Sequence, residues 1–349
     1  MRSLVFRGSG ALEIVEGEVP FPGAGEALVR MKYCGICGTD VHNYRNGIAV
    51  QVGTVMGHEN AGTVEALGPG VNGLALGDRV IVNPMPRCGT CYWCRRGEYS
   101  LCEIGSAREI GFHPEYPGGL ADFLLVRYPD SMIMKVPDSV SAEAAALAEP
   151  LATSLHALNM SRFRKGDEVL VVGAGMIGLG LIRFLKLSGA GRTVVIEPSE
   201  AKAKLARELG ADLAIDPSPG RDATMKAILD QSEGIGFPLV FECSGVASSF
   251  RDAPLFARKG GQAAIVGFCE TEVGVIPRDW ILREIEVKAI LGYYEEFREV
   301  IQSLGMNEIP AASFISGIVS LERAEEEGFR RILRDRDCVK ILVDLELRG

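Results

Sequence analysis

The sequence lacks a long hydrophobic run, an excess of positive charge and a recognisable leader. Its longest uncharged, mostly apolar stretch covers residues 169–182, and a membrane span requires roughly 18 residues. Lysine and arginine number 37 against 46 aspartates and glutamates, for a formal net charge of −9, whereas nucleic acids and anionic membranes select clustered basic residues. The first residues, MRSLVFRGSG, are too interrupted for a secretory signal. These absences predict a cytoplasmic protein that binds neither nucleic acid nor membrane.

The cysteines do not suit a disulfide framework. There are nine, an odd number, and six of them fall within residues 34–37 and 88–102. In a reducing cytosol, close cysteine spacing indicates metal binding before disulfide formation. The remaining three, Cys243, Cys269 and Cys338, lie in or beside apolar strands, and we expect them to be buried and inert.

The length and patterning predict an α/β protein of two domains. A chain of 349 residues exceeds the size at which a single core stops growing. Residues 1–150 show short strands and glycine-rich turns, which favours a compact β-barrel. Residues 151–290 alternate apolar strands with helices, beginning with a helix over 152–160, and this pattern is typical of a doubly wound parallel sheet. Residues 291–349 return to mixed character, which predicts that the sheet domain is inserted into the first domain.

Four cysteines form a closed metal-ligand pattern. Cys88, Cys91, Cys94 and Cys102 follow the spacing C-x2-C-x2-C-x7-C in PRCGTCYWCRRGEYSLC. Four thiolates give zinc a complete tetrahedral shell with no position for substrate, so this zinc is predicted to be structural. One alternative is a set of free or disulfide-bonded cysteines. Another is a zinc ribbon that binds nucleic acid through the nearby arginines, which the net acidity disfavours.

A second set of residues suits an open metal site. Cys37 lies in CGICGTDVH, His58 and Glu59 lie in MGHENAG, and Glu149 lies in ALAEPLATS. A thiolate, an imidazole and a carboxylate are the ligands of catalytic zinc, which keeps one position for water or substrate. Such a zinc lowers the pKa of a bound alcohol, and the alkoxide expels hydride readily.

The residues after Cys37 suit proton transfer. The hydroxyl of Thr39 is placed to receive the substrate proton, and His42 to carry it outward. Asp40 is a candidate acceptor for the ring N–H of His58, which would fix the tautomer of the imidazole. An alternative is that Cys34 and Cys37 form a redox pair. The following GTDVH suits a proton relay better, which leaves Cys34 as a small core residue.

A glycine-rich turn predicts a dinucleotide site. Gly173, Gly175 and Gly178 form G-x-G-x-x-G between an apolar strand and a helix, where they allow a tight turn, close approach of a pyrophosphate, and helix packing. Glu197 follows Gly178 by nineteen residues and ends the strand TVVIE. A carboxylate there accepts hydrogen bonds from the ribose hydroxyls and repels a 2′-phosphate, so NAD is favoured over NADP. Lys202 is within reach of the ribose edge.

Together, CGICGTDVH, GHE, the four-cysteine lobe, AEP and GAGMIG, in that order, resemble the zinc-containing medium-chain alcohol dehydrogenases over essentially the whole chain. The resemblance implies a GroES-like catalytic domain around an inserted Rossmann domain, two zinc ions per chain, and NAD. It implies catalytic roles for Cys37, Thr39, His42, His58, Glu59 and Glu149, and it leaves open whether Glu59 or Glu149 is the third ligand of the catalytic zinc. It implies cofactor contacts at Gly173, Gly175, Ile177, Gly178, Glu197, Lys202, Val266, Gly267, Phe268, Leu291, Gly292 and Tyr293.

Within the family, Glu149-Pro150 and Tyr44 resemble the branch of sorbitol, threonine and 2,3-butanediol dehydrogenases. Sorbitol dehydrogenases carry an Arg-Tyr pair where this chain has Gly292-Tyr293, and this departure makes sorbitol itself a less favoured substrate. The segment EIGFHPEYPGG, which includes His113, is an unusual feature that either shapes the substrate pocket or forms a solvated loop.

The resulting hypothesis is oxidation of a secondary alcohol, namely a polyol, a diol or a hydroxy-amino-acid, to a ketone. Two alternatives are reduction of a ketone or aldehyde at the same site, and a non-catalytic regulator that binds zinc and NAD. A non-catalytic regulator would be expected to lack a zinc ligand, and none of the expected ligands is missing from the sequence. We also expect a homodimer or homotetramer that pairs through residues 260–292, an apolar run near the edge of the predicted sheet.

Overall fold

The computed structural model describes residues 1–348 and divides them into two compact units. The first consists of Met1–Glu149 with the residues from Phe297 onward, and the second of Pro150–Glu296. The second unit is therefore inserted into the first. Its end lies six residues beyond the boundary at 290 expected from the sequence, because the segment after the last parallel strand belongs to it.

Antiparallel strands dominate the first unit. A hairpin joins β1 and β2, and a seven-stranded mixed sheet has the order β14-β15-β3-β4-β5-β7, with β6 paired to β3. Among the described strands of this sheet, β14 and β15 are the one parallel pair. The elements before the insertion are β1 (Arg2–Gly8), β2 (Ala11–Glu16), β3 (Ala27–Ile36), α1 (Gly38–Asn46), β4 (Glu59–Leu67), β5 (Arg79–Val82), β6 (Phe123–Val126), α2 (Pro129–Met132), β7 (Ile133–Lys135) and α3 (Ala142–Ala146); those after it are α10 (Phe297–Gly305), β14 (Ile315–Ser320), α11 (Arg330–Arg334) and β15 (Lys340–Asp344).

The second unit is built on a six-stranded parallel sheet. Its order is β10-β9-β8-β11-β12-β13, which is the 3-2-1-4-5-6 order of the Rossmann fold. The strand order reverses between β8 and β11, so the loops after these two strands meet at the point where such sheets bind ligands. The elements from the junction onward are α4 (Ala148–Met160), β8 (Glu168–Val172), α5 (Met176–Leu187), β9 (Arg192–Ile196), α6 (Glu200–Leu209), β10 (Leu213–Ile215), α7 (Arg221–Asp230), β11 (Phe237–Glu242), α8 (Ala247–Phe256), β12 (Ala257–Ile265), α9 (Pro277–Ile281) and β13 (Glu286–Ala289).

Two expected helices differ from the structure. The helix expected over 152–160 begins four residues earlier, at Ala148, because Pro150 lies in the first turn, where no backbone N–H is needed. The charged segment SLERAEEEGFRRILRDRD, residues 320–337, has a sequence pattern that predicts one solvated helix, but it is a 3-10 turn, a π-helix over Ala324–Phe329 and the short helix α11. Ala324 and Phe329 are fully buried, so this segment packs one side against the core.

Candidate functional site

The four-cysteine lobe lies in the long connection between β5 and β6. The sulfur atoms of Cys88, Cys91, Cys94 and Cys102 all lie within 4.8 Å of one another, and none of the nine cysteines forms a disulfide. Backbone N–H groups point at the sulfurs: Cys91 N donates to Cys88 Sγ at 3.2 Å, and Cys94 N to Cys91 Sγ at 3.4 Å. Hydrogen bonds from backbone N–H groups lower the pKa of Cys88 to about 6, which favours the thiolate that binds a metal. The lobe therefore fits a closed zinc site.

A second cluster joins Cys37, His58 and Glu59. One ligand atom of each lies within 4.8 Å of the others. Cys37 is the N-cap of α1, and Glu59 is the first residue of β4. Gly57 precedes His58 with φ +97°, and a side chain there would lie 2.6 Å from Cys34 Sγ, so glycine lets the chain enter β4 close to β3. The cluster is thus assembled by the turns at the ends of the two elements.

The carboxylate of Glu59 has one occupied oxygen and one available oxygen. Its Oε1 accepts a hydrogen bond from Lys340 Nζ at 2.5 Å. Its Oε2 is buried and has no hydrogen-bond partner within residues 1–348. A buried carboxylate oxygen without a partner is costly unless a ligand satisfies it. Since a carboxylate oxygen of Glu59 lies within 4.8 Å of the ligand atoms of Cys37 and His58, this available oxygen fits a metal ligand.

Lys340 contacts the cluster of Cys37, His58 and Glu59, although no sequence motif includes it. It is 2% exposed in β15, and Nζ also donates to Ile36 O at 3.0 Å. Burial alone lowers the pKa of Lys340, but Glu59 and Cys37 outweigh this effect and raise it. The only sequence signal is a lysine inside the otherwise apolar run VKILV.

His58 lies beside Asp40, as expected from the sequence. The two atoms His58 Nδ1 and Asp40 Oδ1 are 3.5 Å apart, which is longer than a good hydrogen bond. The other oxygen of Asp40 accepts from Cys37 N at 3.0 Å, so Asp40 also holds the turn that presents Cys37. Burial lowers the pKa of His58, but Asp40 and Cys37 outweigh it and raise the pKa well above its usual value. This anionic surrounding suits a bound cation.

Glu149 lies near the cluster but outside it. Its carboxylate is not among the ligand atoms within 4.8 Å of one another, although it interacts electrostatically with His58 and Glu59. Burial raises the pKa of Glu149 to about 7, with Glu59 adding to the effect. In this structure Glu59, and not Glu149, therefore lies in the cluster with Cys37 and His58.

The two expected relay residues share one face of α1. Thr39 Oγ1 lies 3.7 Å from Cys37 Sγ and is half-buried, whereas His42 is exposed. Residues three apart on a helix are neighbours, so the pair leads from the cluster towards solvent. Cys34 is fully buried with its Sγ 3.4 Å from Asn60 Oδ1, and burial raises the pKa of its thiol. Both features argue against a redox pair.

Tyr44 and His113 have structural contacts away from the ligand cluster. Tyr44 is buried, its ring packs on Phe329 at 5.4 Å, and its hydroxyl bonds Glu325 at 2.9 Å. His113 Nε2 lies 3.2 Å from Ser106 O. The neighbouring Phe112, which the sequence analysis did not single out, places its ring 5.3 Å from that of His58.

The glycine turn in the second unit has the geometry that a pyrophosphate needs. Gly173 has φ +95°, and a side chain there would lie 2.9 Å from Ser244 Cβ, on the loop after β11. A side chain at Gly178 would collide with Gly173 O. Gly175 is the N-cap of α5, and within residues 1–348 no side chain caps this helix. Its first N–H groups are therefore available to an anion.

Glu197 follows β9 and is 8% exposed. Its Oε2 accepts from Ala174 N at 2.8 Å and its Oε1 from Ser199 N at 2.9 Å. The carboxylate thus holds the glycine turn as well as lying where a ribose is expected. Lys202, half-buried, lies in the first turn of α6.

The other expected cofactor residues lie on loops at the carboxyl ends of strands. Residues 266–268 follow β12 and residues 291–293 follow β13, at the edge of the sheet where the glycine turn lies. Phe268 is 62% exposed, whereas Tyr293 is 3% exposed, so they differ in access to a ligand. Ile177 is half-buried in α5 and its carbonyl accepts from Ser154 Oγ at 2.9 Å.

The expectation that Cys243, Cys269 and Cys338 are all buried is wrong. Cys338 is buried, but Cys243 and Cys269 are only partly buried. Both follow strands of the parallel sheet, where the chain leaves the core. Cys269 Sγ lies 3.7 Å from Thr271 O.

Comparisons with known proteins agree with this architecture. Residues 23–138 match the family described as "Alcohol dehydrogenase GroES-like domain", and residues 177–305 match "Zinc-binding dehydrogenase". The chain is 32% identical over 338 residues to (R,R)-butanediol dehydrogenase of Bacillus subtilis, covering 93% of this chain and 94% of that protein. It is 31% identical over 337 residues to human sorbitol dehydrogenase, covering 94% and 92%.

A solved structure extends the similarity to the fold. The crystal structure of 2R,3R-butanediol dehydrogenase from Bacillus subtilis superposes with a TM-score of 0.88 at 31% identity, covering 98% of this chain and 99% of that one. Within residues 1–348, no helix is long and apolar enough to cross a membrane. The match to the zinc-binding dehydrogenases and the two ligand clusters support zinc as a cofactor, and the Rossmann sheet supports a nicotinamide dinucleotide. The chain therefore belongs to the zinc-dependent medium-chain alcohol dehydrogenases.

Proposed function

We propose that this dehydrogenase oxidises a secondary alcohol, namely a polyol, a diol or a hydroxy-amino-acid, to a ketone with NAD as hydride acceptor. The observation that carries the proposal is the cluster of Cys37, His58 and Glu59, in which a buried carboxylate oxygen lacks any partner among the described residues. Three ligands of this kind leave a fourth position for a substrate oxygen.

Six polar residues of the site have a role in this reaction. Cys37, His58 and Glu59 hold the zinc, which when bound supplies the Lewis acidity that lowers the pKa of the alcohol hydroxyl. Thr39 takes the hydroxyl proton, and His42, exposed on the same face of α1, passes it to solvent. Glu149 stays beside the cluster as a second carboxylate that can replace Glu59 as ligand.

The choice of NAD over NADP is supported by Glu197. Its carboxylate lies at the end of β9 and is fixed by the N–H groups of Ala174 and Ser199. A fixed negative charge at this position accepts hydrogen bonds from ribose hydroxyls and repels a 2′-phosphate.

The proposal is tested by a substrate panel followed through NADH absorbance. The panel holds 2,3-butanediol, a series of polyols, threonine and sugar acids, each with NAD. We expect turnover of at least one secondary alcohol, and we expect Cys37→Ser to abolish it while NAD binding, measured by calorimetry, is largely retained. Activity of Cys37→Ser near that of the wild type would place the reaction elsewhere.

A further inference from the structure

Glu109 is a half-buried carboxylate in the unit that holds the ligand cluster. It follows the 3-10 turn Ser106–Arg108 and has extended backbone angles of φ −64° and ψ 129°. The next residue, Ile110, is 3% exposed and belongs to the core of this unit. Successive side chains of an extended segment point to opposite sides, so Glu109 points away from that core.

The segment that carries Glu109 packs against the ligand cluster. A side chain at Gly111 would lie 2.9 Å from the carbonyl oxygen of Gly57, the residue before His58. Phe112 stacks beside the His58 ring at 5.3 Å. The carboxyl of Glu109 interacts electrostatically with His58, and it contributes to the raised pKa of Glu149. Glu109 therefore lies in the same polar surroundings as the ligand His58 and the carboxylate of Glu149.

The carboxylate of Glu109 has no partner in the described part of the chain. It forms no hydrogen bond or ion pair there, and the adjacent Arg108 is committed to Tyr128, to whose hydroxyl it donates. Burial raises the pKa of Glu109 to about 7. Its oxygens are not among the fully buried atoms that lack a partner in residues 1–348, so a ligand hydroxyl can reach this unpaired acceptor.

We propose that Glu109 is a specificity-determining residue that accepts a hydrogen bond from a second hydroxyl group of the substrate, on the carbon next to the one that is oxidised. The substrate class is then a vicinal diol or polyol. This inference rests on the proposed function and narrows its substrate.

The acidic side chains around the site disfavour the carboxylate of a substrate such as an amino acid. Glu109 shares this region with Glu149 and Asp40, so the carboxylate of an amino acid would meet like charges. Lys340 is already bound to Glu59, and Arg108 to Tyr128. A second hydroxyl group donates to Glu109 without bringing a charge into the site.

The test compares two alcohols with the same four-carbon skeleton, 2,3-butanediol and 2-butanol, on the zinc-loaded enzyme with NAD. We expect Glu109→Ala to lower kcat/KM for the diol by about 10- to 100-fold, the range for a hydrogen bond to a charged acceptor. The value for 2-butanol should change less than about threefold, because no second hydroxyl is lost. Glu109→Gln should give an intermediate loss.

Glu115→Ala is the matched control, because Glu115 is an exposed carboxylate on the same loop; it should leave both values unchanged. The inference would be overturned by equal losses on the two alcohols, or by a wild type that shows no preference for the diol. Calorimetry of both alcohols with the zinc-loaded protein and NADH distinguishes failure of this inference from failure of the proposed function. If the wild type shows no turnover, it should still bind the diol more tightly than Glu109→Ala does. Equal binding of the diol by the two proteins would overturn the role of Glu109.

Discussion

A single buried lysine balances the charge of the ligand cluster. Lys340 reaches Glu59 from a strand that is 281 residues away in sequence, and neither side chain is more than 2% exposed. The ammonium group of Lys340 neutralises one oxygen of Glu59, and the other oxygen has no partner within residues 1–348. The lysine therefore orients the carboxylate of Glu59 within the cluster of Cys37, His58 and Glu59.

Removal of this lysine should destabilise the protein strongly. Lys340→Met leaves the carboxylate of Glu59 buried without its counter-charge, and breaking a buried pair from one side costs about 3–5 kcal/mol of the free energy of unfolding. Urea unfolding of zinc-depleted protein measures this change. Lys226→Met is the control, since Lys226 pairs with Asp230 on the surface and should cost less than about 1 kcal/mol. A loss for Lys340→Met as small as for the control would contradict the prediction.

Glu197 should determine the choice of cofactor. A 2′-phosphate about 4 Å from the carboxylate is repelled by about 4 kcal/mol at an effective dielectric near 20. Allowing for Lys202 and solvent, we expect kcat/KM to favour NAD over NADP at least ~100-fold, equivalent to about 2.7 kcal/mol. Glu197→Ser should reduce this ratio and also loosen the glycine turn, because the hydrogen bond from Ala174 is lost.

The control for Glu197 is Glu200→Ser, a change of an exposed carboxylate three residues along. Its cofactor ratio should equal that of the wild type. If the wild type uses both cofactors equally, or if Glu197→Ser leaves the ratio unchanged, then Glu197 does not face the ribose.

At the scale of elements, the sequence predicts local sites better than long-range ones. The four-cysteine lobe and the glycine turn are each contained within about fifteen residues, so their spacing alone specifies their geometry. Lys340 and Glu109 are brought to the cluster by tertiary packing, which no local spacing records. The π-helix over Ala324–Phe329 is not predictable from the sequence for a related reason. The many charged residues of this segment indicate a solvated helix, whereas Ala324 and Phe329 are buried by packing in the assembled core.

The strand β13 has one open edge in the parallel sheet. Within residues 1–348 it pairs only with β12. Val287 on this strand is 36% exposed, and the nearby Ile281 and Leu282 are 72% and 71% exposed. An open strand edge beside exposed apolar side chains favours pairing with a second chain. We propose that two copies pair through this edge.

Light scattering tests the pairing at micromolar concentration. The wild type should be a dimer or tetramer, and Val287→Lys should shift it to smaller species, because it places like charges across a symmetric contact. Ile235→Lys, which changes an apolar side chain that is 57% exposed elsewhere on the same unit, should leave the mass unchanged. A wild type that stays monomeric, or equal effects of the two changes, would contradict the pairing.

For the whole molecule, the two ligand clusters predict two zinc ions per chain with different lability. The lobe of Cys88, Cys91, Cys94 and Cys102 surrounds its ion completely, whereas the cluster at Cys37 leaves one position open to solvent and chelator. A chelator should therefore remove one zinc quickly, with loss of activity, and the second slowly, with loss of thermal stability, as elemental analysis alongside both assays would show.

Two single substitutions distinguish loss of activity from loss of thermal stability. Cys37→Ser should keep one zinc per chain and a Tm near that of the wild type but have no activity, because only the open site is changed. Cys88→Ser should also lose one zinc, but with a clear drop in Tm, because metal-binding free energy at a closed site is folding free energy. Fully active protein that contains one zinc or fewer, or release of both ions at the same rate, would show that the two clusters do not have the separate roles that their geometry indicates.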